Sequence, residues 1–458
     1  MQHRRHHARP ALLPPLRLLV VFILAIGVLL CVSLTTTLHS SPKLRRAEPI
    51  RALIRPIVDN SGAPSTESED IHIVFSLSCD QPHRLLQQTV LQVTATAVGQ
   101  RGPITQILAG CTPEQRAQVL QEPTFYHDFR RHFAPDFSRH PEPDVDDDYG
   151  PYNKPFALRH FLQHAEPAIT TKFIALVDGD FAFLHRLQVN TGRRVDTSLL
   201  YRGTRDPTSV NDTVRDGLGV AMSWAIYRDH VFIPSQGDLG LVFFDQRDKM
   251  LSLCGTNERC GRVDHDDAVE FFGDTASPYI LTVNDMRRLI DDYCRFTVLG
   301  RQLTNKWVVE MEAYALAAAN HGILHTKLLN YAISLPPYRN EDDEYWAFVD
   351  VLREDENPCS EALGILTPKP ELPPIFFLHY FHSYGYGGYV FNKRDLPRNV
   401  TDCESPLLRL PPAALWTGAS NRNERRHAWA HCTIVKLLND ALVALKRKSC
   451  PDGYNGRR

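Results

Sequence analysis

Two hydrophobic periods alternate along this chain, and their order sketches an α/β fold. The segment IHIVFSLS, starting at Ile71, is β-branched and apolar and breaks at Cys79-Asp80-Gln81-Pro82, so it predicts a buried strand. From His83 to Ala97, Leu86, Val90, Val93 and Ala97 recur at helical spacing. A turn at Gly99-Gln100-Arg101-Gly102-Pro103 leads into ITQILAG, a second strand. Strand, helix, strand opens a parallel sheet with right-handed crossovers. PYNKPFALRHFLQHA predicts a helix with Phe156, Leu158, Phe161 and Leu162 as its apolar positions. The continuous apolar run Phe173 to Val177 fits a central parallel strand, and it ends directly in Asp178-Gly179-Asp180. Further on, SPYILTV (277–283) predicts a strand, and a helix opens at Asn284 and runs through Tyr293. Trp307 to Asn320 predicts a helix that His321-Gly322 closes. ILHTKL predicts another strand, IFFLHYF (375–381) is apolar again, and Ala428 to Leu445 is an amphipathic helix. Between 190 and 275, apolar runs (Leu218 to Ile226, Leu239 to Phe244) alternate with polar loops, and 338 to 372 is acidic and loop-rich.

The N-terminal end has a different organisation. Leu18 to Leu34 reads LLVVFILAIGVLLCVSL, seventeen uncharged residues at the lower edge of a bilayer-crossing helix. Arg4, Arg5, Arg9 and Arg17 precede it, and Lys43, Arg45 and Arg46 follow, which favours a cytoplasmic N-terminus. The expected organisation is a cytoplasmic tail (1–17), a signal-anchor (18–35) and a Ser/Thr/Pro-rich stem (36–70) before the globular part at Ile71. A cleaved signal peptide is the alternative; no small-x-small site follows Cys31. The short span suits a thin membrane of the early secretory pathway, which makes the globular side lumenal and oxidising. Nine cysteines lie outside the span, so at least one is free or bonded to another chain. Cys254 and Cys260 could close a small loop, and Cys79 and Cys111 could bridge two strand ends. Asn211 and Asn399 begin N-glycosylation sequons.

Composition narrows the functional classes. The 458 residues are 43 % hydrophobic and 23 % charged, which excludes a disordered, collagen-like or polytopic chain. A formal net charge of −2 argues against a general nucleic-acid binder. No Walker loop, G-x-G-x-x-G or G-x-S-x-G is present.

The sharpest chemistry is Asp178-Gly179-Asp180. Ligands of open α/β sheets bind beyond the carboxyl ends of the strands. Paired carboxylates there repel unless a cation lies between them, and a hard divalent ion with a diphosphate satisfies both charges. The intervening glycine lets a large ligand approach the backbone. Such a site needs a further ligand, and His379 is the candidate; the alternative is a hydrogen-bonded core histidine. Lys393 and Arg394 could meet diphosphate oxygens, or be surface cations. The helix WVVEMEAYALAAA is too apolar for a surface helix, so at least one of Glu310 and Glu312 faces the core or a pocket. Glu310 is the candidate for binding a sugar hydroxyl or for proton transfer, and for Glu312 a surface position stays open. Asp264-His265-Asp266-Asp267 reads as a solvated loop, because adjacent residues cannot all converge on one ion.

In IHIVFSLSCD, VGQRGPITQILAGC, YNKPFALRHFLQHAE, FIALVDGDFAFL, SPYILTVNDM, WVVEMEAYALAAANHGI, FFLHY and FNKRDLPRNVTDCESPLL, in that order, the chain resembles plant and algal peptidyl serine α-galactosyltransferases and the related hydroxyproline O-arabinosyltransferases. The resemblance implies a GT-A type glycosyltransferase fold, a Rossmann-like mixed sheet flanked by helices, over 71–413, with 414–458 as a helical extension. It implies a UDP-sugar donor, UDP-galactose first, and Mn²⁺ held by Asp178, Asp180 and His379. Asn153 and Lys154 would line the donor pocket, Ser76 and Asp80 would contact the nucleotide, and Glu310 and Lys393 would complete the site. The acceptor would be Ser or hydroxyproline of hydroxyproline-rich glycoproteins, in the Golgi or endoplasmic reticulum membrane. The chain departs from relatives that carry Ala or Pro where Gly179 stands, and 190–275 aligns with little. If the sugar's α-configuration is kept, the departing phosphate can take the acceptor's proton; if it inverts, Glu310 is the base. The rival expectations are an arabinosyltransferase using a UDP-pentose, an inactive glycosyltransferase-fold scaffold, and a membrane-tethered metal-dependent hydrolase.

Overall fold

The computed structural model describes residues 70–192, 200–223 apart from 202, 207 and 208, 247–336, 346–360, 373–451 and 454. The expected tail and span, and the stem up to residue 69, lie outside the described residues, as does the run from Leu239 to Phe244.

The opening elements follow the hydrophobic periods. β1 (Ile71–Ser78) and β2 (Ile104–Ala109) flank α1 (Arg84–Ala97) and pair in parallel. Along β1, Ile71, Ile73, Phe75 and Leu77 enter one core while Val74 enters another. This is the period of two of a strand buried on both faces. Two elements come next that the apolar pattern did not announce, α2 (Pro113–Gln121) and β3 (Phe129–Ala134). α2 buries only Val119, so it has no apolar stripe; its start is fixed by a capping box in which Thr112 and Gln115 bond each other's backbone N–H. β3 is an edge strand of sequence FRRHFA, and an edge needs few apolar side chains.

α3 (Asn153–His164) leads to β4 (Phe173–Leu176) and, after the acidic triplet, to β5 (Phe181–Phe183). β6 (Leu218–Ser223), β7 (Thr275–Thr282), α4 (Val283–Leu303), α5 (Val309–His321) and β8 (Leu324–Lys327) follow. α4 runs ten residues past the expected end at Tyr293, and Gly322 closes α5 in the left-handed conformation expected of it. The main sheet has the order β3-β2-β1-β4-β7-β6-β8. β7 is antiparallel to both of its neighbours, and every other pair is parallel. The fold is therefore mixed α/β with a parallel-rich central sheet flanked by helices. β4 is central, as expected, but parallel only on its β1 side.

One face of the sheet packs against α3, α4 and α5 through Leu158, Phe161, Met286, Tyr293 and Leu316. On the other face, a small sheet of β5, β10 (Phe377–His379) and β9 (Ala332–Ile333) meets α1. The hairpin β11 (Ser383–Tyr386) and β12 (Tyr389–Asn392) turns through Gly387 and Gly388, both at positive φ. α6 (Arg422–Ser449), longer than the expected 428–445, packs against α1 and that hairpin. Trp429, Leu438 and Leu442 of α6 share one core with Leu86 and Val90 of α1, so the segment read as an extension is built into the body. By length and composition α6 could cross a membrane, yet most of its apolar window is buried inside the protein.

Four disulfides join Cys79 to Cys111, Cys254 to Cys260, Cys359 to Cys432 and Cys403 to Cys450, and Cys294 is free and buried. The odd count and the two bridges weighed from spacing are all present. The cluster at 264–267 is not a loop: Asp264 accepts the Asp267 N–H at 2.8 Å and caps a short helical turn, and Asp267 is buried.

Candidate functional site

β4 delivers the acidic triplet to the carboxyl end of the sheet, where a cavity of about 600 Å³ opens. Ser76, Asp80, Asn153, Lys154, Asp178, Asp180, Glu310, His379, Lys393 and Arg394 all line it. Every residue singled out from the sequence for binding or catalysis thus meets in one space, of a size usual for small-molecule sites.

The topology explains the convergence. Directly after Asp180, β5 pairs antiparallel with β10, in a register that sets His379 opposite Phe181. Tyr380 N–H donates to the Asp180 carbonyl at 3.1 Å and locks that register beside the triplet. The His379 ring lies between Phe181 and Phe381, with centroids at 4.5 and 4.3 Å. Lys393 arrives on the turn after β12, where Asn392 Oδ1 accepts the Arg394 N–H at 2.9 Å. Lys154 sits in the first turn of α3, and Glu310 in the first turn of α5.

Each aspartate divides its two oxygens between a lysine and the histidine. Asp178 Oδ1 holds Lys154 Nζ at 2.8 Å, while Oδ2 lies 3.8 Å from His379 Nε2. Asp180 Oδ2 pairs with Lys393, while Oδ1 lies 3.2 Å from the same Nε2. Among the described residues no group of three or more His, Cys, Asp or Glu side chains is placed to hold a metal ion as they stand. The donor types nonetheless suit a divalent ion. Neighbouring donors of an octahedral ion with bonds near 2.1 Å stand about 3 Å apart; the 3.2 Å between Asp180 and His379 is near that, and the 3.8 Å between Asp178 and His379 is wider. Asp178, Asp180 and His379 are the candidate donors of the cavity, and an ion there would need Asp178 to move toward the histidine and each lysine to yield its carboxylate oxygen.

Charge pairing sets the protonation states. Burial alone would raise the Asp180 carboxyl, but His379 and Lys393 outweigh it and hold it well below the usual carboxylate range. Burial would lower the Lys154 ammonium, but Asp178 and Glu310 outweigh it and hold it well above its ordinary value. Glu310 goes the other way. Burial raises it, Lys154 opposes and Asp178 adds to the rise, leaving it pushed up to about 7. Both Glu310 oxygens are engaged: Oε1 accepts from the Tyr293 hydroxyl, and Oε2 lies 3.3 Å from Lys154 Nζ. Glu312, for which the sequence left a surface position open, is buried as well. The apolar helix left neither carboxylate a solvent face.

Asn153 is held from two sides. Its Oδ1 accepts the Phe137 N–H at 2.9 Å, and its Nδ2 donates to Ser78 Oγ at 3.0 Å. Ser76 lines the cavity from β1, and Asp80 is exposed at its mouth. Gly179 lines the cavity, and the structure adds a second reason for it to the one expected. A Cβ there would come 2.5 Å from Leu77 Cδ2 and 3.1 Å from Cγ, so the missing side chain makes room for β1.

Sequence reasoning missed Tyr149 and Tyr293. The Tyr149 hydroxyl accepts the Glu310 N–H at 3.2 Å and donates to the Trp307 carbonyl. Only the aromatic-rich DDDYGPYNKP segment hinted at the first, and nothing local marks the second.

No protein-family model matches the chain. Over 113 residues, 24 % of its length, the chain is 34 % identical to a peptidyl serine alpha-galactosyltransferase of Arabidopsis thaliana, and the match spans 13 % of that relative. This partial likeness supports a relationship to glycosyltransferases and, at that general level, transferase activity.

Proposed function

We propose that the chain is a metal-dependent glycosyltransferase of GT-A type that moves a sugar, galactose first, from a UDP-sugar to Ser or hydroxyproline of a hydroxyproline-rich polypeptide. The observation that carries this reading is the shared arrangement of Asp178, Asp180, His379, Lys154 and Lys393 in one cavity at the carboxyl end of the sheet. The galactosyl and peptidyl parts rest on the relative's name and on the sequence resemblance.

In this reading Asp178, Asp180 and His379 would hold Mn²⁺, which when bound would supply positive charge to offset the negative charge of the departing diphosphate. Lys154 and Lys393 then have a second anion to serve. Each can turn from its carboxylate toward the diphosphate and offer a preorganised positive charge where negative charge develops. Asn153 and Ser76 offer polar groups along the donor's path, and Asp80 stands at the mouth. An α-linked product from an α-linked UDP-sugar keeps its configuration, so the leaving phosphate accepts the acceptor's proton. Glu310, with both oxygens engaged, then acts as the positioning group for Lys154.

The secretory location, with residues 18–35 as anchor, belongs to the same proposal. Four disulfides suit an oxidising compartment, and Asn211 and Asn399 are both exposed.

The test is a panel of UDP-sugars offered with Ser/Hyp-rich peptides, with Mn²⁺ or a chelator, the product linkage read by mass spectrometry and NMR. Mn²⁺-dependent transfer from UDP-galactose supports the reading. Transfer only from a UDP-pentose moves it to the arabinosyltransferases. UDP binding without release under any pairing overturns it in favour of an inactive scaffold, and ester cleavage without transfer in favour of a hydrolase.

A further inference from the structure

One aromatic side chain at the cavity is placed against the usual rule. Trp346, Trp416 and Trp429 are at most 1 % exposed, while Trp307 is 72 % exposed and lines the cavity. An indole left in water forgoes the burial of one of the largest apolar surfaces a side chain has. The position is braced at its backbone and along one ring edge. The Trp307 carbonyl accepts the Tyr149 hydroxyl, and the Tyr149 ring meets the indole edge-on with centroids 5.9 Å apart. Arg301 lies over the Tyr149 ring at 4.3 Å and grips Asp147 with two hydrogen bonds, at 2.7 and 3.1 Å. The indole is thus a fixed apolar shelf, joined in the cavity wall by Pro151, Met311 and Phe381, while the carboxylates and lysines make up the polar wall.

We infer that Trp307 is the acceptor platform of this site, and that it takes the flat aliphatic face of a prolyl-type ring next to the residue that receives the sugar. The inference rests on the glycosyltransferase reading and its polypeptide acceptor, and adds the side chain that receives that acceptor. A hydroxyl nucleophile must reach the polar wall while the rest of its residue and its neighbours stay nearer the mouth. A pyrrolidine ring has the shape and the C–H face to stack on an indole, and a polypeptide rich in such rings is already extended. The rim also favours a polypeptide over a neutral glycan. Glu142, Asp144, Asp146 and Asp148 are exposed on the loop that leads into Tyr149 and Pro151, and they suit cationic side chains flanking the target residue.

The experiment compares the wild type with Trp307→Ala and Trp307→Phe. The substitutions remove an exposed side chain and leave the backbone carbonyl that Tyr149 uses, so folding is retained and is checked by thermal unfolding. Two serine peptides are offered, one with prolines flanking the serine and one with glycines. With the proline peptide, KM should rise about tenfold in Trp307→Ala and recover in part in Trp307→Phe, as expected for a stacking contact. With the glycine peptide the three proteins should agree, and the KM for the UDP-sugar should move less than twofold. Equal effects on both peptides, or a rise confined to the UDP-sugar (the nucleobase stacking on the indole instead), overturns the inference. Binding of the proline peptide alone, by calorimetry, is measured in parallel. If the wild type transfers no sugar, the functional reading fails, and tighter peptide binding by the wild type than by Trp307→Ala decides this inference separately.

Discussion

Glu310→Gln gives the site's electrostatics a measurable form. The wild-type carboxyl is buried, with its side chain 5 % exposed, and is pushed up to about 7 from an ordinary 4.5. Below pH 4.5 the group is protonated in both the folded and the unfolded chain and contributes no pH dependence. Between 4.5 and 7 the unfolded chain releases the proton and the folded one keeps it, so stability falls as pH rises. Above 7 both are ionised and the loss is complete. The difference of about 2.5 pH units corresponds to about 3 kcal/mol. For a folded body of roughly 390 residues the unfolding entropy is about 0.8 kcal/mol/K, so the loss translates to about 4 °C in Tm. The glutamine has no proton to lose. The wild-type Tm minus the variant Tm should therefore fall by about 4 °C between pH 4.5 and 7.5, measured by differential scanning calorimetry at one scan rate. A difference that stays flat with pH, or that grows as pH rises, would refute the placement of Glu310 as a carboxyl strained by burial.

Other perturbations separate the remaining parts of the site. Asp180→Asn should lower Mn²⁺-dependent UDP release by a hundredfold or more. It should also cost about 3 kcal/mol of stability at pH 7, a difference that shrinks as pH falls below the ordinary carboxyl value of 3.8, where the unfolded wild type takes up a proton that the folded one does not; retained turnover would rule out this aspartate as a metal ligand. Lys393→Met removes the ammonium that competes for Asp180, so Mn²⁺ alone should bind at least tenfold tighter by electron paramagnetic resonance while the KM for the UDP-sugar rises; unchanged Mn²⁺ affinity would count against the shared carboxylate. Gly179→Ala should destabilise by about 1–3 kcal/mol through overpacking on Leu77. Adding Leu77→Ala should make the second change cost less than it does alone in denaturant titrations, and strict additivity would show that the clash is relieved elsewhere.

The hydrophobic periods carried most of the fold because most elements are buried on a definite face. β1, α1, β2, α3, β4 and α5 all satisfy their apolar pattern locally. Among the elements that escaped notice, α2 and β3 have almost no apolar pattern to read; α2 starts on a Thr112–Gln115 capping box and buries only Val119. The residues of the candidate site were legible one by one, because carboxylates after a buried strand and a histidine in an apolar run are chemically conspicuous. Their pairing was not. That Lys154 bridges Asp178 and Glu310, and that Lys393 reaches Asp180 across 213 positions, follows from the crossovers that place α3, α5 and β12 at one end of the sheet. Gly179 shows the same limit, since its neighbour Leu77 belongs to a strand a hundred residues earlier in the chain.

The phenol of Tyr149 has a structural consequence of its own. One oxygen touches the carbonyl before α5 and the amide of Glu310, and Glu310 in turn grips Lys154. The carbonyl under the indole and the amide of Glu310 thus share one oxygen, so taking that phenol away would leave both without this partner at once.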